Sequence, residues 1–241
     1  EGDDLSRRGT DGHRCIETFK NWPKNAKLIV YADGVRVDPS ERIEVRDLST
    51  SCPSLRSFKN RYKEYRPKSW EFDVVKFSHK VFAAAQGLKD WSGLGVWLDA
   101  DCVTYNEIPE GYLQSLLPDN RYMAFFGRQR MYTETGFWMV DCSHSRHKDF
   151  MSEFVKVYTS GEIVKLPQWH DCVAIDHVRK YFEGEGVRNQ NLSKSLDLGI
   201  DGGSEKEMHP MAFSELGKYI DHCKGNRKKN GFSPENANRI T

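Results

Sequence analysis

A short apolar run that ends in two closely spaced aspartates constrains the fold of this chain more than any other feature. Leu94–Leu98 carries no charge and is followed by Asp99 and Asp101. An apolar run of this length, stopped by acidic residues, predicts a central strand. Ligands of α/β proteins bind at the carboxyl ends of parallel strands. The pattern therefore predicts an α/β protein with its functional site at the aspartate pair.

The rest of the chain alternates between strand patterns and helix patterns. The further predicted strands are Lys27–Ala32, Ile43–Leu48, Tyr122–Phe126 and Gly136–Val140. The predicted helices are Cys15–Asn21, a long helix from an N-cap at Ser69 to about Gln86, Tyr112–Leu117, Phe150–Tyr158 and Cys172–Tyr181. This alternation predicts a layered α/β fold with a largely parallel sheet. We expect a flexible N-terminus (1–14), a single domain (15–224) and a basic tail (225–241) that a bound donor orders.

Charge and cysteine content narrow the class of partners. The 36 Lys and Arg residues nearly cancel the 35 Asp and Glu residues, so the net charge is +1. A chain so nearly neutral has no overall attraction for nucleic acid, and we expect no nucleic-acid partner. The apolar runs are too short to cross a bilayer, so no transmembrane segment is expected. The six cysteines form no C-x-x-C pattern, which favours reduced thiols in a cytoplasmic protein.

The aspartate pair itself suggests a metal site. Residues i and i+2 of an extended chain point the same way, so Asp99 and Asp101 can present both carboxylates to one hard cation. The sequence places no Lys or Arg beside them, and two such charges repel unless a cation lies between them. The alternative is a solvated turn at the end of the strand, where Asp is common.

The segment Trp97-Leu98-Asp99-Ala100-Asp101 resembles the D-x-D motif of GT-A glycosyltransferases. The chain looks closest to poorly characterised bacterial and phage GT-A proteins, with likeness to glycogenin-like and blood-group-type retaining transferases. The resemblance implies a GT-A (Rossmann-like) mixed sheet sandwiched by helices. It also implies Mn²⁺ or Mg²⁺ as cofactor and a UDP- or GDP-sugar donor. The acceptor would be a hydroxyl of a glycan, lipid or protein, and a retaining outcome is preferred.

The same resemblance assigns expected roles to other residues. Nucleotide-sugar binding is expected of residues at the end of the first strand, on the helix before the D-x-D strand, in a W-H-D segment and in the basic tail: Asp33, Asp73, Lys76, Trp169, His170, Lys224 and Lys228. His222 is expected to complete the metal site. Asp171 and Glu134 are the expected catalytic residues, although Cys172 follows the W-H-D segment where the blood-group type has Glu.

Most of these residues also have a structural interpretation. Asp171 is placed to cap the helix that follows it, and Glu134 fits an exposed loop. Asp73 and Lys76 could form a helical i,i+3 pair. His222 could lie in a solvated basic tail. Trp169 and Trp138 could stack on a sugar or simply belong to the core.

Three rival functions stay open at this point. Asp99–Val103 also resembles the first motif of haloacid-dehalogenase-type phosphatases, although no later G-D-x-x-x-D segment follows it. A nucleotidyltransferase would need a Gly-rich basic loop after the first strand, which is missing. A non-catalytic carbohydrate-binding relative would keep the same binding residues without turnover.

Overall fold

A computed structural model describes residues 5–128, 130–193, 209–225, 227 and 231–236. Within these residues the protein is a mixed α/β structure. No helix among them combines the length and the apolar character needed to cross a bilayer.

The helices and strands occur in the following order. The helices are α1 (Leu5–Thr18), α2 (Leu48–Ser51), α3 (Pro53–Arg61), α4 (Val74–Leu88), α5 (Tyr112–Ser115), α6 (His147–Thr159), α7 (Asp171–Gly184) and α8 (Pro210–Phe213). The strands are β1 (Leu28–Ala32), β2 (Ile43–Asp47), β3 (Leu94–Leu98), β4 (Cys102–Thr104), β5 (Met123–Arg128), β6 (Met131–Asp141), β7 (Gln190–Asn191) and β8 (Ile220–His222). Short 3₁₀ turns span Phe19–Asn21, Trp70–Phe72, Glu162–Lys165, Glu215–Lys218 and Pro234–Asn236.

The central sheet has the strand order β3-β6-β5-β7. Strand β6 runs antiparallel to both of its neighbours, and only β5 and β7 pair in parallel. The prediction of a largely parallel sheet is therefore wrong for this sheet. The reason lies in the connection, because a tight turn at Arg130 joins β5 to β6 and a short turn can link only antiparallel strands. The separate β1–β2 pair is parallel.

Helices cover both faces of the central sheet, as predicted. Successive side chains of a strand point to opposite faces, and β5 and β6 are buried on both. Met123, Phe125, Trp138 and Val140 join one apolar cluster with helices α4, α6 and α7. The alternate residues, including Phe126 and Phe137, join a second cluster with the Phe19–Trp22 segment and α8. Trp138 is thus a core residue and cannot stack on a ligand.

Two helix boundaries differ from the prediction. Helix α4 begins at Val74, and its N-cap is Asp73, whose Oδ1 accepts a hydrogen bond from the backbone N–H of Lys76 at 3.0 Å. Ser69 precedes a 3₁₀ turn and its hydroxyl bonds Glu71 instead. Helix α1 begins at Leu5, ten residues before the predicted start at Cys15 and within the segment expected to be flexible. The predicted strand Leu94–Leu98 is confirmed residue for residue as β3.

A pairing between two short strands brings the C-terminal part of the chain to the end of β3. Strands β4 and β8 run antiparallel, with Cys102 opposite His222. Both strands are buried. Asp221 then anchors the following segment, because its carboxylate accepts hydrogen bonds from the backbone N–H and the hydroxyl of Ser233. This pairing sets the position of His222 beside the aspartate pair.

Candidate functional site

The aspartate pair lies in a tight turn that follows β3. The backbone N–H of Cys102 donates to the carbonyl of Asp99 at 2.9 Å, which closes the turn. The backbone N–H of Asp99 donates to Gly136 O at 2.9 Å, which ties the turn to β6. The chain is therefore not extended at this point, as the sequence argument assumed. The two carboxylates nevertheless converge, because both approach His222.

His222 lies between the aspartates on one side and a glutamate on the other. Its Nε2 is 2.9 Å from Asp101 Oδ1 and 4.0 Å from Asp99 Oδ2. Its Nδ1 is 3.1 Å from Glu134 Oε1. A carboxylate on one ring nitrogen fixes the orientation of a histidine and leaves the other nitrogen for a ligand. The expected solvated tail is therefore not found at His222, which is buried.

Glu134 is the most enclosed carboxylate of the cluster. It lies within β6, is 2% exposed and contacts Arg128, His209, His222 and Lys224. Its Oε1 also accepts the backbone N–H of Gly136 at 3.0 Å. The interpretation of Glu134 as an exposed loop residue is wrong, because the β5–β6 hairpin is longer than the sequence suggested and buries it.

Lys80 links the aspartate pair to Asp171. Its Nζ is 2.7 Å from Asp99 Oδ1, 2.9 Å from Asp171 Oδ2 and 2.6 Å from the carbonyl oxygen of Thr135. Asp171 also accepts a hydrogen bond from the Thr135 hydroxyl at 2.5 Å. The sequence argument that no cation neutralises the pair is thus wrong, since Lys80 reaches Asp99 from α4. The N-cap of α7 is His170, and Asp171 points into the cluster instead of capping the helix.

Gly136 makes room for the histidine. A Cβ atom added at Gly136 would lie 2.9 Å from Cγ of His222 and closer still to Nδ1 and Cε1. Real Cβ atoms do not approach other atoms so closely, so any larger residue would displace the ring. The absence of a side chain at this position therefore permits His222 to lie against β6.

Burial and charge shift the pKa values within the cluster in opposite directions. Burial by itself lowers the pKa of His222, but Asp101 and Glu134 outweigh it and raise the pKa to about 9. Burial likewise opposes ionisation of Glu134, yet Lys224 and the two neighbouring histidines hold its pKa well below the usual range. Burial lowers the pKa of His209 to about 4. In the ion-free site, an imidazolium at His222 therefore lies between the carboxylates.

The ionised groups of Asp171 and Lys80 stabilise each other. Although burial opposes ionisation of Asp171, Lys80 lowers the pKa of this carboxyl below its usual value. Burial also opposes the charge on Lys80, and Asp171 with Asp99 raises its pKa above the usual value. Burial raises the pKa of Asp99, and Lys80 and His222 oppose that effect.

The donor set fits a hard divalent cation. Octahedral coordination with metal–ligand distances of about 2.1 Å separates neighbouring ligand atoms by about 3.0 Å and opposite ones by about 4.2 Å. The distances from His222 Nε2 to Asp101 Oδ1 (2.9 Å) and to Asp99 Oδ2 (4.0 Å) lie close to these two values. Carboxylate and imidazole ligands suit Mn²⁺ and related ions. These three side chains could therefore hold such an ion after His222 loses its proton.

Six of the predicted site residues converge, and the others do not. The convergent residues are Asp99, Asp101, Glu134, Asp171, His222 and Lys224. Asp33 pairs instead with Lys59 and His79. Asp73 caps α4, and Lys76 is exposed one turn before Lys80. Lys228 lies outside the described residues.

The W-H-D segment contributes only partly to the cluster. Trp169 packs against Tyr65 and Phe72 on the edge of the core, so its ring serves packing. His170 is buried beside Asp171, and burial lowers its pKa. Asp171 alone of the three side chains contacts Lys80.

The largest reported cleft lies apart from this cluster. It measures about 390 Å³ and lies between α3 and α4. Its lining includes Lys59, Lys63, Arg66 and the predicted residue Asp73, and none of the six convergent residues. The side chains that can hold a metal ion are therefore not those that line the most open space.

The sequence analysis missed two residues of the cluster. Lys80 directly precedes the apolar run Val81–Ala85 in a helix predicted to be buried on much of its circumference. Because a lysine in such a helix needs an anionic partner, this position was a usable signal. His209 Nε2 lies 3.4 Å from Glu134 Oε2, and its ring lies perpendicular to that of His222. We find no sequence signal that would have placed His209 there.

Comparison with known proteins gives no match. No family model matches the chain, and neither a curated protein nor a solved structure does. The chemistry of the site therefore has to be argued from its own geometry.

Proposed function

We propose that the protein is a metal-dependent glycosyltransferase of GT-A type that moves a sugar from a nucleotide-diphosphate donor to a hydroxyl acceptor. The observation that carries this proposal is the convergence of Asp99, Asp101 and His222, which approach one another although His222 lies 121 residues from Asp101. Two carboxylates and an imidazole from distant segments are a ligand set that a transferase of this type needs. A solvated turn has no need of a buried histidine.

The charge of the cluster supports an anionic ligand at the metal. Four carboxylates (Asp99, Asp101, Glu134 and Asp171) are in contact with Lys80, Arg128 and Lys224. With a divalent ion bound and His222 neutral, the positive charges of this group exceed the negative ones. A group of this kind attracts a diphosphate. The ion would act as a Lewis acid on the leaving diphosphate.

The protein side chains have separable roles in this proposal. Asp99, Asp101 and His222 hold the ion, and Glu134 positions His222 through Nδ1. We therefore assign Glu134 a positioning role in place of the catalytic role expected from the sequence. Lys224 lies beside Glu134 with a partly exposed side chain, and it offers a positive charge to the diphosphate.

Asp171 is the candidate carboxylate for the donor sugar. Lys80 and the hydroxyl of Thr135 keep it ionised and fix its orientation. A fixed carboxylate can accept hydrogen bonds from sugar hydroxyls and stabilise positive charge that develops at the anomeric carbon. The retaining outcome stays a prediction of the resemblance.

Turnover of nucleotide sugars tests this function. Purified protein is incubated with UDP-glucose, UDP-galactose and GDP-mannose in Mn²⁺, and released nucleoside diphosphate is measured with and without simple glycoside acceptors. We expect release from one of these donors, and we expect Asp171→Asn to lower it on the order of 100-fold while nucleotide binding persists. Asp119→Asn, at an exposed position, is the matched control.

Two results would count against the proposal. Metal-dependent hydrolysis of p-nitrophenyl phosphate without use of any nucleotide sugar would favour the phosphatase alternative. Equal turnover by wild type and Asp171→Asn would remove Asp171 from the proposed mechanism.

A further inference from the structure

An exposed tryptophan lies next to the proposed site and is held in a fixed position. Trp70 is 62% exposed, the highest value among the large hydrophobic residues reported as exposed in the described part of the chain. Its ring stacks on the ring of His170, with centroids 5.7 Å apart and planes 24° apart. One face of the indole is therefore covered by His170, and the side chain is otherwise largely open to solvent.

Neighbouring rings hold this stack in place. Phe77 contacts both members edge-on, with centroids 6.3 Å from Trp70 and 5.6 Å from His170. Tyr132 contacts His170 from another side at 5.6 Å. We refer to Trp70, Phe77, Tyr132 and His170 as the aromatic cluster. The burial that lowers the pKa of His170 favours its neutral form, so the cluster presents an uncharged surface at neutral pH.

The backbone also fixes Trp70. The 3₁₀ turn Trp70–Phe72 is held against the W-H-D segment by a 2.8 Å hydrogen bond from the N–H of Trp169 to the carbonyl of Glu71. The indole is thus ordered before any ligand binds, and a ligand that stacks on it would lose little entropy in ordering the protein. Exposed aromatic residues are usually isolated and free to move, which makes this arrangement unusual.

The aromatic cluster is directly continuous with the groups assigned to the donor sugar. His170 is adjacent in the chain to Asp171, which contacts Lys80, and Phe77 lies on α4 three residues before Lys80. Tyr132 lies on β6 two residues before Glu134. Each member of the cluster except Trp70 therefore belongs to an element that also carries a residue of the proposed site.

We propose that Trp70 is the stacking platform for a pyranose ring of a glycan acceptor. This inference rests on the proposed function and specifies its acceptor class as carbohydrate rather than a lipid or protein hydroxyl. One face of a pyranose carries mainly C–H groups and packs on an aromatic ring, while its hydroxyl groups reach polar neighbours. At this position the ring would lie beside Asp171, where an acceptor hydroxyl has to meet the donor sugar.

Glycan binding tests the platform separately from turnover. The full chain is applied, without nucleotide, to an array of glycans that end in glucose, galactose, mannose and N-acetylhexosamine residues. We expect the wild type to bind a subset of them. Trp70→Ala should weaken that binding about tenfold or more, and Trp70→Phe, which keeps an aromatic face, should lie within about threefold of wild type.

Trp91→Ala is the matched control. Trp91 is 46% exposed and lies beyond the C-terminal end of α4, whereas Trp70 precedes its N-terminal end. Its replacement should leave glycan binding unchanged. Nucleotide and Mn²⁺ binding of Trp70→Ala, measured by thermal shift, should equal that of wild type, which would show that the variant is folded.

The outcomes separate this inference from the proposed function. Wild-type binding to no glycan on the array, or unchanged binding in Trp70→Ala, would overturn the platform even if nucleotide sugars are turned over. Glycan binding that depends on Trp70 without any turnover of nucleotide sugars would support the platform. It would also indicate the non-catalytic carbohydrate-binding alternative.

Discussion

Lys80 Nζ lies between two carboxylates, 2.7 Å from Asp99 Oδ1 and 2.9 Å from Asp171 Oδ2. These aspartates come from the end of β3 and the start of α7, so one side chain of α4 joins two distant segments of the chain. The lysine is only 14% exposed, and Asp171 is 5% exposed. The geometry of the metal ligands and that of the proposed sugar-binding carboxylate are therefore linked through Lys80.

Replacement of Lys80 by methionine is expected to destabilise the protein strongly. The variant would leave two carboxylates in a buried place without their cation, and breaking a buried ion pair in this way typically costs about 3–5 kcal/mol. Urea unfolding of Lys80→Met would measure this loss. The double variant Lys80→Met/Asp171→Asn should recover part of it, because one uncompensated charge is removed.

A control for that experiment exists on the same helix. Lys76 is exposed one turn before Lys80, so Lys76→Met should change the free energy of unfolding by less than about 0.5 kcal/mol. Equal stability of Lys80→Met and Lys76→Met would contradict the buried ion pair.

Replacement of Gly136 by alanine is expected to weaken metal binding. The added Cβ would overlap the ring of His222, so that ring has to move away from Asp101. We expect Mn²⁺ affinity to fall about 10–100-fold, as for loss of the group that orients a metal-bound histidine, and stability to fall by about 1–3 kcal/mol. Calorimetric titration with Mn²⁺ and urea unfolding measure the two effects.

Gly184→Ala provides the comparison for Gly136. Gly184 is the last residue of α7, and a Cβ added there would meet open space. This variant should bind Mn²⁺ as wild type does and should be at least as stable. If Gly136→Ala kept wild-type Mn²⁺ affinity, His222 would not be a ligand.

Native cysteines are expected to react slowly with alkylating reagents. All six are free, in agreement with the reduced thiols predicted from the sequence. Burial, followed by the nearby aspartate in each case, raises the pKa of Cys142 and of Cys172 from 9.0 to about 12. Only the thiolate reacts, and a rise of this size lowers the thiolate fraction at pH 8 about a thousandfold.

Mass spectrometry after a short iodoacetamide pulse at pH 8 measures this effect. We expect little label on Cys142 or Cys172 in the folded protein and full labelling of both in guanidinium chloride. Because the folded pKa values are raised, labelling should increase as the pH rises towards 12. Labelling of the folded protein at the rate of the unfolded chain would contradict the burial of these thiols.

Local sequence patterns predicted much of the fold. The run Leu94–Leu98 is confirmed as β3, and the predicted strands near Leu28 and Ile43 form β1 and β2. These patterns work because burial on one or both faces of a strand is written in adjacent residues. Helix α4 was found for the same reason, although its N-cap was misplaced from Asp73 to Ser69.

Long-range pairing decided what the sequence could not predict. His222 reaches the aspartates through β4 and β8, each of three residues, and no local periodicity encodes the register of such short strands. The side chains of Lys80 and His209 join the cluster through tertiary packing alone. The D-x-D motif was located correctly, but the expected extended geometry is a turn at Asp99–Cys102.

Metal-dependent nucleotide binding tests the central claim most directly. The melting temperature is measured with UDP, GDP and CDP, each with and without Mn²⁺, for wild type, Asp101→Asn and the control Asp90→Asn, whose side chain is 83% exposed. At nucleotide concentrations near 100 times Kd, stabilisation is about 2.7 kcal/mol, or several degrees for a chain of this size.

We predict a shift with at least one nucleotide that requires Mn²⁺, is kept by Asp90→Asn and is lost in Asp101→Asn. The absence of a Mn²⁺-dependent shift with all three nucleotides, or an equal shift in Asp101→Asn, would contradict the assignment of Asp99, Asp101 and His222 as the metal site of a glycosyltransferase.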